Sequence, residues 1–190
     1  MPQPELPFRM VVEDVFNAYP AGAVLCGEVV QGVVRIGDEV EAVGLRPVHR
    51  FTVSGLEQFR KRLTEARAGA NIGVLVPGMR FGDFDRGQLL AAPGSVRTYT
   101  RLRATVCTQQ PPGATLPLLF SPGSVVVGAT VDLPPGVDAI TPDVPFDATL
   151  TLNRPVVCEE GADFSVEIET RDPIRRLRRI GTGRIIETLD

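Results

Sequence analysis

Glycine recurs every five residues, at 22, 27, 32 and 37, through AGAVLCGEVVQGVVRIGDEVEAVG, with valines and Ile36 filling the gaps. Glycine lacks the Cβ that forbids positive φ and close backbone approach, so each one permits a tight turn or a crossing of strands. The beat therefore predicts a small barrel with sharp corners. The rest of the chain is punctuated in the same style, with 19 glycines and 17 prolines among 190 residues. Valine-rich runs between these breaks alternate with polar residues, which predicts short strands joined by turns and an all-β fold.

Further strands are expected over 48–55, 71–76 and 88–91. A break follows at Ala92-Pro93-Gly94-Ser95, where proline and glycine do not sit comfortably inside a strand. Beyond it the pattern gives strands at 98–108, 124–133, 146–152, 164–169 and 181–188. The expected organisation is two small antiparallel β-barrels in tandem, residues 1–94 and 95–190. Gln58 to Ala68 is open between a short helix and a strand with a polar loop, because Phe59, Leu63 and Ala66 fall at helical spacing.

The chemistry that the residues exclude is informative. A net charge of −3 gives no global attraction to nucleic acid or anionic membrane, so any such function rests on a local patch. Cys26, Cys107 and Cys158 are odd in number and widely spaced, which fits reduced, strand-buried thiols rather than a disulfide framework or a zinc site. His49 is the only histidine and has no metal-sharing partner; it reads as structural. The pairs Asp83/Asp85 and Glu159/Glu160 sit in turn-like contexts and read as solvated. The single lysine, Lys61, lies between Arg60 and Arg62, so no GxxxxGK[ST] phosphate loop exists, and neither Asn-Lys-x-Asp nor Asp-x-x-Gly occurs. A catalytic role, a metal or a cofactor is not expected. No apolar run approaches the roughly 18 residues of a spanning helix, and Met-Pro-Gln-Pro-Glu lacks signal-peptide character, which gives a cytoplasmic expectation without membrane partners.

Four ordered segments carry a resemblance: PFRMVVEDVF (Pro7 to Phe16), AGAVLCGEVVQGVVRIGDEVEAVG (Ala21 to Gly44), SGLEQFRKRLTEARAGANIGVLVPG (Ser54 to Gly78) and RGQLLAAPGSV (Arg86 to Val96). Together they resemble domain 2 of bacterial elongation factor Tu. Weaker likeness to its domain 3 lies in LPPGVDAITPD (Leu133 to Asp143), LNRPVVCEEGADFSV (Leu152 to Val166) and GTGRI (Gly181 to Ile185). The resemblance implies two antiparallel barrels of a translation factor whose GTPase domain has no counterpart in this sequence. It also implies that the segment after Phe59 begins as strand.

In that family, domain 2 cups the aminoacylated 3′ end of transfer RNA. The positions matching its pocket are Glu13, Asp14 and Phe16 on the first strand, Cys26 in AVLCGEVV, Glu57 and Phe59 after the Ser54-Gly55 turn, and Asn71 in the GANIG turn. A flat apolar floor with hydrogen-bond acceptors suits a terminal adenosine. The plain alternative is that Phe16 and Phe59 are core and Glu13 and Asp14 a solvated strand end. Departures from the family are specific: Cys26 stands where threonine is usual, and Glu28 and Gln31 replace arginines. In the second half the family's EGGRHTPF loop is not recognisable, and its YRPQFYFRTTDVTG segment is shortened to something like FSPGSVVVGAT (Phe120 to Thr130). Much of the usual phosphate-facing surface is thereby lost.

One patch offers compensation. Arg171, Arg175, Arg176, Arg178, Arg179 and Arg184 crowd TRDPIRRLRRIGTGR, a stretch suited to RNA phosphates or an acidic protein face, or to an edge strand guarded by like charge. The leading expectation is a non-catalytic, RNA-binding protein of the translation (protein biosynthesis) machinery. It would bind aminoacyl-tRNA, other RNA, a GTPase domain in trans or another translation-factor protein. The rival expectations are a regulatory or decoy protein-interaction module, and a degenerate or split elongation factor paralogue.

Overall fold

The computed structural model describes residues 6–18, 22–109, 116–120, 125–133, 140–169 and 177–189. The chain divides into two compact units between Arg97 and Thr98. Both are built almost wholly of antiparallel strands, in accord with the all-β expectation.

The first unit contains β1 (Arg9–Val11), β2 (Asp14–Asn17), β3 (Ala23–Gln31), β4 (Val33–Arg35), β5 (Glu39–Val43), β6 (His49–Thr52), β7 (Gly55–Gln58), β8 (Lys61–Leu63), β9 (Glu65–Arg67), β10 (Asn71–Val76) and β11 (Leu89–Ala91). A curled sheet runs β6-β5-β11-β1-β3-β10-β7-β8, with β2 also paired to β3, and β4 and β9 form a separate two-stranded ribbon. The segment after Gln58 is thus strand, β8 and β9, and not helix. Alternation along the strands sends Met10, Val12, Leu25, Leu56, Ile72, Val74 and Leu90 into one buried cluster.

β3 is the strand on which this arrangement turns. Along Ala23 to Cys26 it pairs with β2, and further along, at Val29 and Gln31, with β1 on the same side. Gly27 lies at the change of partner. A Cβ there would stand 1.7 Å from the Val11 carbonyl oxygen, so only glycine lets the chain between β1 and β2 cross so closely. Gly37, by contrast, takes φ +95° in the turn from β4 to β5 with nothing within 4 Å of where its Cβ would be. The five-residue beat therefore serves two different physical needs.

The second unit is a closed six-stranded barrel of β12 (Thr98–Thr108), β13 (Leu116–Phe120), β14 (Val125–Asp132), β15 (Phe146–Val157), β16 (Asp163–Glu169) and β17 (Leu177–Thr188), in the order β12-β15-β14-β13-β16-β17. Closure removes the free edges that would otherwise template pairing with other chains. Leu102, Ala104, Val106, Leu118, Leu150, Val166 and Ile185 fill the interior, and the Phe164 ring lies directly over Gly183. Strand β13 is not among the expected strands, and it carries Pro117, a residue that strands seldom accept. Pro117 pairs only with β14, and the ladder to β16 starts at Leu118, so its missing N–H leaves no gap there.

Several expectations need correction. Cys158 is buried just beyond the end of β15, while Cys26 and Cys107 are strand residues that are only half-buried. The Asp85 carboxylate pairs with Arg46 of the β5–β6 loop at 2.9 Å and so ties two loops, while Asp83 accepts the Arg80 backbone N–H at 2.7 Å within its own loop; neither simply faces water. Glu160 accepts the Thr188 N–H at 3.3 Å. His49 lies on β6, its ring edge-on to Phe84 at 6.0 Å, a packing role that matches the structural reading.

The two glycines separate steric from conformational need. Gly27→Ala is expected to cost about 3 kcal/mol or more, because backbone must move. Gly37→Ala should cost only about 1 kcal/mol, from strain at positive φ. Urea denaturation of the two variants checks the ordering, and equal losses would refute it.

Candidate functional site

The register of the first sheet gathers residues that are far apart in sequence. Asp14 on β2 lies opposite Cys26 on β3, Cys26 opposite Gly73 on β10, Gly73 opposite Glu57 on β7, and Glu57 opposite Arg62 on β8. Directly opposed residues share a face of a sheet, so this is a single outward row across five strands. The flanking residues Val15, Leu25, Val74 and Leu56 point the other way and are buried.

Two residues along, the next row on the same face is Phe16, Val24, Leu75 and Gly55. On the other side lie Glu28 and Asn71, again opposed. Glu13 joins through its side chain, which accepts a hydrogen bond from Asn71 Nδ2 at 3.3 Å. Its backbone is fixed as well: the Glu13 N–H donates to Cys26 O at 2.8 Å, and Arg86 Nε donates to the Glu13 carbonyl at 2.6 Å. Of the residues singled out from sequence, Glu13, Asp14, Phe16, Cys26, Glu57 and Asn71 are therefore brought to one face.

Asn71 is the first residue of β10 and not part of a turn. Phe16 is 53% exposed and Phe59 is 89% exposed, so neither is core. Phe59 stands at the tip of the β7–β8 hairpin, where it and Arg60 hold φ of +49° and +65° between the paired residues Gln58 and Lys61. That is a type I′ turn built without the usual Asn or Gly. The side chains of Arg60, Lys61 and Arg62 at this tip make no hydrogen bond or ion pair among the described residues.

Gly73, Arg62 and Arg86 belong to this surface and were not legible as site residues. Gly73 sits inside NIGVLV, where the sequence marks only a strand. Its missing side chain leaves a dip in the outward layer: a Cβ there would meet Val24 Cγ1 at 3.0 Å and Cys26 Sγ at 3.5 Å. Beside this dip the Cys26 thiol is pushed above the usual thiol range, chiefly by burial and then by the negative charges of Asp14 and Glu57. Raised in this way, it remains a neutral thiol at pH 7 and is a poor nucleophile. No group of three or more potential metal ligands occurs among the described residues.

The arginine patch of the second unit is only partly assembled. Arg171, Arg175 and Arg176 lie outside the described residues. Arg178 and Arg179 are exposed on β17, in register with Ile168 and Glu167 of β16. Arg184 does not belong to a free cationic patch: its guanidinium forks onto Asp163 at 2.7 and 3.1 Å, holding that carboxyl below its usual range. Nor is β17 an edge strand over 181–184, since β12 and β16 pair it on both sides there; among the described residues 177–179 are paired by β16 alone, and 185, 187 and 188 by β12 alone.

Residues 22–91, from the start of β3 to the end of β11, match the family model for elongation factor Tu domain 2. The first unit thus contains a translation-factor-like domain of that type. The matched span includes Cys26, Glu57, Phe59 and Asn71; β1 and β2, with Glu13, Asp14 and Phe16, precede it.

Site-resolved alkylation with iodoacetamide tests the local electrostatics. Cys26 should react more slowly than glutathione at pH 7, and its rate should climb only at pH above the ordinary thiol range. Removing both charges with Asp14→Asn and Glu57→Gln should speed it by roughly twofold to tenfold. Burial, the larger cause, would remain. An unchanged rate in the double variant would remove the two carboxylates from the account.

Proposed function

We propose that the protein is a non-catalytic binding protein of the translation-factor type, and that the outward face formed by β2, β3, β10 and β7 receives an aminoacylated RNA 3′ end. The observation that carries this reading is the convergence of Asp14, Phe16, Cys26, Glu57 and Asn71 on one face of a unit whose residues 22–91 match elongation factor Tu domain 2. The face offers what such an end needs. Carboxylate oxygens accept from ribose hydroxyls and from an α-ammonium group. Phe16 and the exposed Phe59 supply flat apolar surface for a base, and Gly73 leaves room at the centre.

In this proposal the second barrel is a divergent counterpart of domain 3, and a GTPase domain, if one takes part, acts in trans. Within the arginine run of the second unit, Arg184 is committed to Asp163, which leaves Arg178 and Arg179 for phosphate among the described residues. Binding should therefore depend on the aminoacylated end more than on the RNA backbone. That commitment also favours a second reading, in which the surface recognises a protein of the translation machinery without RNA.

Fluorescence anisotropy with an aminoacylated acceptor-stem RNA and its deacylated twin separates the two. The first reading expects at least about tenfold tighter binding of the acylated form. It expects that preference to vanish in the Glu57→Ala/Asn71→Ala variant, and a shallow salt slope of about −0.7 per phosphate contacted. Equal affinity for the two RNAs would overturn it, and absence of RNA binding altogether would leave the protein-recognition reading.

A further inference from the structure

Glu41 lies on β5, between β11 and β6, and is 7% exposed. Both of its carboxylate oxygens are occupied. Oε1 accepts Nε of Arg50, opposite it on β6, at 3.2 Å, and Oε2 accepts the backbone N–H of Gly94 at 3.0 Å. Gly94 belongs to the stretch that leads out of β11 toward β12, so this carboxylate reaches out of the sheet and holds the connector.

Other contacts tie the same stretch. Ala92 N–H donates to Phe8 O at 3.0 Å, and Ser95 N–H closes a turn onto Ala92 O at 3.0 Å, with Gly94 at φ +70°. Arg9 Nη2 reaches Ser95 O at 3.5 Å. The Ser95 hydroxyl is shut off from solvent without a hydrogen-bond partner among the described residues. A dry, unpaired hydroxyl opposes seating the connector here, so the seating relies on its other bonds. The strongest of these is the charge-assisted one to Glu41.

We propose that Glu41 is a clasp that sets the length of the tether between the two units. With Gly94 held, Val96 and Arg97 alone separate the tied stretch from β12 at Thr98. With it released, the Ser95 turn and the Arg9 contact hold the stretch alone, and where they open as well the tether runs from Pro93 to Arg97. At about 3.5 Å per extended residue, the reach grows from about 7 Å to about 17 Å. The clasp is supplied entirely by the first unit, from β5 and β6.

Hydrogen–deuterium exchange and limited trypsinolysis of the full chain test this. Glu41→Ala should raise deuterium uptake in the peptide spanning 92–97, and trypsin cleavage after Arg97, by about tenfold, leaving peptides from β3 and β10 at wild-type uptake. Glu41→Gln keeps an acceptor for the Gly94 N–H but loses the charge, and should fall between the two. It also serves if the alanine variant does not fold. Wild-type uptake over 92–97 in Glu41→Gln and Glu41→Ala would overturn the proposal. So would an increase shared equally by β3 and β10, since Glu41 would then support the sheet and not the tether.

Discussion

A backbone crossing without room for a methyl group governs the first unit. At Gly27 the chain between β1 and β2 passes so close to β3 that a Cβ would overlap the Val11 carbonyl oxygen. Because of that crossing, β3 takes two partners in succession along one flank while β10 holds the other. The strands β1, β11, β5 and β6 can then join the same curled sheet as β10, β7 and β8. The crossing also delivers Glu13 and Asp14 to the outward face, since they come two and three residues after Val11.

What was legible in the sequence was what local chemistry dictates. Period-two alternation in AVLCGEVV and NIGVLV marked strands, and Ala92-Pro93-Gly94-Ser95 marked the boundary region. Where a residue's meaning depends on a distant neighbour, local pattern was blind. Strand β13, with Pro117 in it, was not expected, and the ladders that make the proline tolerable lie on β14 and β16. Arg184 looked like one more cation in a basic run, but Asp163 lies opposite it in the register and takes its charge. Gly73 is an ordinary strand glycine until β3 and β7 are laid beside it. The candidate pocket residues were found by likeness to a family, and their gathering onto one face is a property of three-dimensional pairing.

The two units solve the edge problem differently. The second closes on itself, so each of its six strands has a paired neighbour on both sides. The first leaves β6 and β8 as the ends of its sheet. At one end the terminal strand carries Lys61 and Arg62 beside the exposed Phe59, charged in the manner of edges that resist association. At the other, the Glu41–Arg50 pair joins the last two strands.

The alternation that puts Asp14, Cys26 and Glu57 on the outward face has a further effect. Slipping any of these strands by one residue would expose Leu25, Val74 or Leu56 and bury the acids, so hydrophobic burial enforces the register. The outward residues contribute little to that enforcement and are free to vary. Cysteine in place of threonine and glutamate in place of arginine are changes such a surface absorbs without disturbing the core. The fold thus separates heritable shape from changeable chemistry, and lets binding preference drift while the scaffold stays fixed.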